Sequence, residues 1–154
     1  MKYMTKNEWE HFEYQDAHIS EVQLAAGFFR ILLDGVVILP ENSANRDIRR
    51  MRANELLFRV EGGEVLSFTQ EGYKVYDADG RLQRQYEDVL LEASQYEEAA
   101  KQLADGYVYS LERRESEDGY VYTFVLDGTD EHTYDLVVRG RADVQEWDRF
   151  LNLE

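Results

Sequence analysis

The stretch from Gly106 to Gly140, GYVYSLERRESEDGYVYTFVLDGTDEHTYDLVVRG, constrains the fold of this chain more than any other. It holds three runs of alternating residues rich in Tyr, Val, Phe and Leu, separated by Glu115 to Gly119 and by Asp127 to Glu131. Period-two alternation broken by short Gly- and Asp-bearing segments is the pattern of a three-stranded antiparallel meander. In the middle run Tyr120, Tyr122, Phe124 and Leu126 share one face, and Val121, Thr123 and Val125 share the other. Both faces suit burial, so this run is expected to be the central strand of the core sheet.

The remaining segments read mainly as strands. Ala17 to Leu24 carries a phase break, with Val22 and Leu24 on one face and Ile19 on the other, which a β-bulge would repair. Phe29, Ile31 and Leu33 form one face of the next run, and Asp34-Gly35 and Gly62-Gly63 have the composition of hairpin turns. A second meander is expected from Glu55 to Phe68 across Gly62-Gly63, continuing through Tyr73 to Tyr76 and Leu82 to Tyr86 across Asp79-Gly80. The segment EGGEVLSFTQEG at Glu61 to Gly72 aligns with EDGYVYTFVLDG at Glu117 to Gly128, an echo that convergence of hairpin sequences explains more simply than duplication.

Three segments read as helical. Thr5 and Glu8 have capping-box spacing with Met4 and Trp9 at staple positions, which predicts a short helix through about Phe12. Ser94 and Glu97 repeat that spacing ahead of Tyr96, Ala99, Ala100, Leu103 and Ala104, with Gly106 at the stop position. At the end of the chain, Asp143 and Glu146 cap, and Val144, Trp147, Phe150 and Leu151 offer an apolar face for a terminal helix. The expected fold class is therefore mainly β (α+β): an antiparallel sandwich or partly open barrel of about nine strands, with one or two short helices packed on it.

A length of 154 residues fits a single domain, 1-154, and 44% hydrophobic residues suffice for one packed core. The 32 Asp and Glu against 17 Lys and Arg give a net charge of −15, which repels nucleic-acid phosphate and anionic lipid and favours a basic protein partner. Absence of cysteine excludes disulfides and thiolate metal sites. No signal-peptide pattern or membrane-length apolar run stands in the sequence, so a cytoplasmic location is expected, with no membrane and no nucleic acid among the partners. Nothing in the sequence fixes the oligomeric state.

No stretch carries a catalytic or metal-ligating motif, so no cofactor, no metal and no enzymatic activity is expected. His18 near Asp16, and His132 near Asp130 and Glu131, have the neighbours any acidic surface supplies by chance. Asp77-Ala-Asp79-Gly80 opens like a calcium loop but lacks the later acidic ligands, and reads as a turn. Arg46, Arg49, Arg50 and Arg52 make the one basic island, whose simplest role is pairing with nearby carboxylates.

Two binding surfaces stand out. The acidic turns, Glu115, Glu117 and Asp118 at one end of the central strand and Asp127, Asp130 and Glu131 at the other, suit a basic partner, although solvated protection of strand ends also accounts for them. Alternatively, Tyr107, Tyr109, Tyr120, Tyr122 and Tyr134 line a pocket in a small-ligand carrier, or serve as sheet core with hydroxyls at the rim.

FEYQDAHISEVQL, followed by FFRILLDGVVILP, resembles the opening of a group of small acidic bacterial proteins, some classed as polymorphic-toxin immunity proteins. In that group an aromatic residue, a polar pair and an Asp-Ala-x-Ile run lead into an antiparallel sheet. Phe12, Tyr14, Gln15, Asp16, Ala17 and Ile19 carry the likeness here, and Gln15 departs from the His common at its position. The resemblance implies an immunity-type inhibitor of a basic toxin, or a bacterial protein of unknown regulatory role.

Overall fold

In a computed structural model, which describes residues 1–153, the chain is mainly β with antiparallel sheets and one short α-helix. Fifteen strands are present among the described residues, more than the nine read from sequence. They are β1 (Tyr3–Lys6), β2 (Phe12–Glu13), β3 (His18–Ala25), β4 (Phe28–Asp34), β5 (Val36–Ile38), β6 (Met51–Ala53), β7 (Leu56–Glu61) and β8 (Glu64–Gln70). They continue as β9 (Tyr73–Tyr76), β10 (Leu82–Tyr86), β11 (Val89–Leu90), β12 (Tyr107–Ser116), β13 (Gly119–Asp127), β14 (Thr133–Gly140) and β15 (Ala142–Trp147). Ten of them form one sheet in the order β1-β15-β7-β4-β3-β12-β13-β14-β8-β11, while β9-β10 and β2-β5-β6 stand apart.

The expected meander is β12-β13-β14, and β13 is paired along both edges. The phase break in β3 is a bulge between Ile19 and Glu21, which lets Ile19 and Val22 both enter the core. A second bulge, at Tyr109, likewise turns Val108 and Leu111 inward.

The sheet folds over on itself because two of its connections are not hairpins. Gly62-Gly63 carries the chain from β7, between β15 and β4, to β8 at the far side of the sheet beside β14. One residue, Arg141, makes the reverse passage from β14 to β15, and its N–H donates to Glu61 O at 2.9 Å. The two passages run so close that a Cβ on Gly140 would stand 2.1 Å from Val60 Cγ1. Only glycine fits there. The apolar faces thus meet across the fold, with Phe29 against Phe124 (ring centroids 4.9 Å) and Phe58 edge-on to Tyr122 and Phe124 (6.0 and 5.8 Å). The echo segments accordingly play different parts: β12-β13 is a hairpin, whereas β7 and β8 do not pair.

Asp34-Gly35 is also a corner rather than a hairpin, since β4 lies in the large sheet and β5 pairs with β2 and β6. The hairpin partner of β4 is β3, through the tight turn at Ala26-Gly27. The expected second meander is replaced by β8 on β14 and the separate hairpin β9-β10.

Helix α1 (Tyr96–Leu103) buries Ala99, Ala100 and Leu103, and Tyr96 packs on Phe68 at 5.5 Å; the capping box before it is formed by Glu92 and Gln95 rather than by Ser94 and Glu97. The other two expected helices are absent. Thr5 lies in β1, where its hydroxyl donates to Gln145 Oε1 at 2.8 Å, and Glu8 holds the backbone N–H of Ser43 at 2.8 Å, leaving one 3-10 turn at Trp9–His11. The terminal segment is β15, flanked by β1 and β7, because its edges find strand partners and its alternation places Asp143, Gln145 and Trp147 inward. Outward, Ala142 and Val144 are roofed by Lys6, Arg59, Glu61 and Glu146, paired at 2.9 to 3.9 Å.

Of the buried polar groups of β15, the Trp147 indole N–H has no partner, whereas Asp143 and Gln145 are satisfied together. Asp143 accepts from Tyr122 Oη (2.7 Å), Arg113 Nη1 (3.0 Å) and Gln145 Nε2 (2.6 Å). Arg113 also pairs with Glu10 at 3.0 Å and lies over the Tyr120 and Trp9 rings at 4.3 and 5.4 Å. A buried ion pair with every remaining donor and acceptor engaged fixes how β12, β13 and β15 stack.

Candidate protein-binding surface

The nine residues of β13 separate its two end turns by about 30 Å. Glu115, Glu117 and Asp118 are exposed at one end. At the other, Asp127 and Asp130 are half-buried and Glu131 is exposed. Asp127 Oδ1 accepts Thr133 Oγ1 at 2.8 Å, and Asp130 accepts the Tyr134 hydroxyl at 2.6 Å and the His132 N–H at 3.2 Å. These two carboxylates therefore shape the β13-β14 turn, while Glu131, left-handed at φ 66°, projects from it.

Folding adds groups to this second end that sequence reasoning missed. Glu71 leaves β8 with its N–H on Thr133 O at 2.8 Å, and Asp88 accepts the Gly72 N–H at 2.6 Å. Glu71, Gly72, Tyr73, Asp130, Glu131, His132 and Thr133 line a cleft of about 420 Å³. The Asp135 carboxyl hydrogen-bonded to Glu71 raises the Glu71 pKa to about 7, helped by burial and by the negative charges of Asp135, Asp88 and Asp127. Such crowding of like charge favours one shared proton. Burial, then the bond to Asp130, pushes the Tyr134 hydroxyl upward as well. No carboxylate of either end turn, nor Glu71, Asp88 or Asp135, forms an ion pair among the described residues.

Beside the cleft stand exposed apolar groups. Hairpin β9-β10 leaves the body here, with Tyr73 stacked on Tyr86 at 4.4 Å and Tyr76 and Leu82 open to solvent. Val89 and Leu90 of the edge strand β11 are exposed too. Asp77-Ala-Asp79-Gly80 forms the hairpin turn, with Asp77 Oδ1 accepting the N–H groups of Asp79 and Arg81, both at 2.9 Å.

The tyrosines do not gather round a pocket. Tyr122 and Tyr134 are buried and hydrogen-bonded to Asp143 and Asp130, Tyr120 covers Arg113, and Tyr107 and Tyr109 are exposed on β12. The space a carrier would need between the sheet faces is occupied by the rings of Phe29, Phe58, Tyr122 and Phe124.

His18 pairs with Asp34 (3.2 Å) and Asp105 (3.1 Å) rather than with Asp16, at the seam where β3 meets β12. Burial acts to raise the Asp34 carboxyl, but hydrogen bonds from the Glu55 N–H, Ser20 and His18 hold it below its usual range. That cluster ties β3, β4 and the start of β12 together. In the basic island, Arg49 pairs with Asp47 and Arg50 with Glu13, both at 3.0 Å, and Arg52 lies in β6.

Among the described residues, no helix is long and apolar enough to cross a membrane. Comparison with models of protein families, with curated proteins and with solved structures finds no match.

Proposed function

We propose that this is a cytoplasmic binding protein for a basic protein partner, an immunity-type inhibitor that covers a cationic surface such as the nucleic-acid cleft of a toxin. The observation that carries this reading is the uncompensated acidic cleft at the β13-β14 end, crowded enough to shift Glu71 and bordered by exposed tyrosines. Asp143 and Glu146, by contrast, are paired with Arg113 and Arg59. An unpaired cluster stores repulsion that a cationic partner relieves. Aromatic groups next to it supply the apolar contact that charge alone lacks, and steering by the net charge makes association fast and salt-sensitive.

A tagged pull-down from native host lysate at low salt, eluted stepwise with salt, identifies the partner. One basic protein in stoichiometric amount, with an on-rate that drops at moderate salt and drops at least tenfold in Glu131→Gln/Glu71→Gln, is the expected result. An on-rate indifferent to salt overturns the reading.

A further inference from the structure

The hairpin from Tyr73 to Tyr86 differs from the large sheet in charge and in contacts. Its strands carry Lys74 and Arg84, Arg81 follows its turn, and neither strand bears a carboxylate. Its two acids, Asp77 and Asp79, lie in the turn. Lys74, Arg81 and Arg84 form no ion pair among the described residues, on a chain of net charge −15. The strands β9 and β10 pair only with each other.

Four large side chains on this arm, Tyr73, Tyr76, Leu82 and Tyr86, are 41 to 57% exposed. Tyr73 pairs with Tyr86 on one face and Tyr76 with Leu82 on the other, so both faces are apolar. A two-stranded hairpin standing alone is marginal in water, and an exposed apolar arm marks an interaction site.

The surface that complements the arm lies at its root, since Tyr73 forms part of the wall of the acidic cleft. Donor and acceptor thus adjoin at one end of the molecule. A two-fold axis through that end lays each arm over the cleft of the other copy, and the contact closes on itself. We infer that the protein forms a symmetric homodimer by exchange of arms, the basic aromatic hairpin of each copy docking in the acidic cleft of Glu71, Asp130 and Glu131 of the other. This rests on the reading of the cleft as a receptor for cationic protein surface, and it names a second copy of the chain as one occupant. A foreign basic partner then competes with the arm for the same carboxylates.

Covering half-exposed side chains of this size on two arms, together with the matching acceptor surface, removes roughly 1,000 Å² from water, the lower bound of specific interfaces. The dimer is accordingly weak, reversible and screened by salt.

Sedimentation equilibrium of the full chain at high micromolar concentration tests this. The wild type is expected to have the mass of two chains at low salt and to shift toward one at moderate salt. Lys74→Glu/Arg84→Glu is expected to stay monomeric with an unchanged far-UV circular dichroism spectrum, and mixing it with Glu71→Lys/Glu131→Lys should restore a dimer through the reversed pair. A monomeric wild type at low salt, or a dimer indifferent to Lys74→Glu/Arg84→Glu, overturns the inference. A monomeric wild type that still binds a basic protein through Glu71 and Glu131 leaves the cleft reading intact; an arm-dependent dimer with no basic partner does the reverse.

Discussion

Replacing Asp143 by Ala tests the claim that a buried ionic network holds β15 in the sheet. The side chain is fully buried and accepts three donors at 2.6 to 3.0 Å, from Gln145, Tyr122 and Arg113. Its removal strands a buried tyrosine hydroxyl and an amide, at about 1–3 kcal/mol for an unsatisfied group, and uncouples an ion pair whose one-sided loss costs about 3–5 kcal/mol. These costs overlap, and Arg113 retains Glu10 at 3.0 Å. The expected loss is about 4 kcal/mol, which lowers the Tm of a chain this size by roughly 8–16 °C. Urea denaturation followed by tryptophan fluorescence reads it, because Trp147 is buried in the same strand. Asp143→Asn, which keeps an acceptor, should cost about 1–2 kcal/mol. A double-mutant cycle with Arg113→Met should give a coupling of at least about 1.5 kcal/mol. A loss below about 1 kcal/mol for Asp143→Ala, or additivity with Arg113→Met, would refute the argument.

Three further outcomes follow from the geometry. Because the Glu71 pKa is raised to about 7, its contribution to stability is complete below the ordinary Glu value and is lost as pH rises through 7, so Glu71→Gln should gain on the wild type between pH 5 and 8 in parallel thermal melts; a constant difference across that range would contradict the shared proton. Burial foremost, and then the Asp143 charge, raise the Tyr14 and Tyr122 hydroxyls, so stability present below the unfolded tyrosine pKa of about 10 should fall above it. Tyr122→Phe should flatten that alkaline limb in urea titrations, at a cost of about 1 kcal/mol near neutrality for the lost hydrogen bond. Gly140→Ala drives a Cβ to 2.1 Å from Val60 Cγ1 and should cost about 3 kcal/mol in chemical denaturation, partly recovered by Val60→Ala; an unperturbed Gly140→Ala would mean the crossing is looser than described.

The expectation of about nine strands fell short because β1, β2, β6 and β11 are two to four residues long and too brief to show a period. The terminal strand was illegible for another reason. Asp143 and Gln145 take inward positions, which hides the alternation and leaves capping-box spacing as the visible signal. Of the candidate surface, the turn Asp127 to Glu131 could be read directly, whereas Glu71, Asp88 and Asp135 join it only through the pairing of β8 with β14 on one edge and β11 on the other.

The sequence by itself determined what neighbouring residues settle between them. The β12-β13-β14 meander, the inward face of β4, the bulge in β3, the Asp79-Gly80 turn and helix α1 all follow from period, turn chemistry and spacing within about ten residues. Tertiary structure alone decided where each such piece goes. Gly62-Gly63 and Asp34-Gly35 have hairpin composition, yet each carries the chain between sheet regions, because a turn's residues fix its local backbone while the strand that completes its sheet lies far along the chain. The same long-range pairing gathers the carboxylates of β8, β13 and β14 beside a basic arm, a juxtaposition that exists only once the sheet has closed.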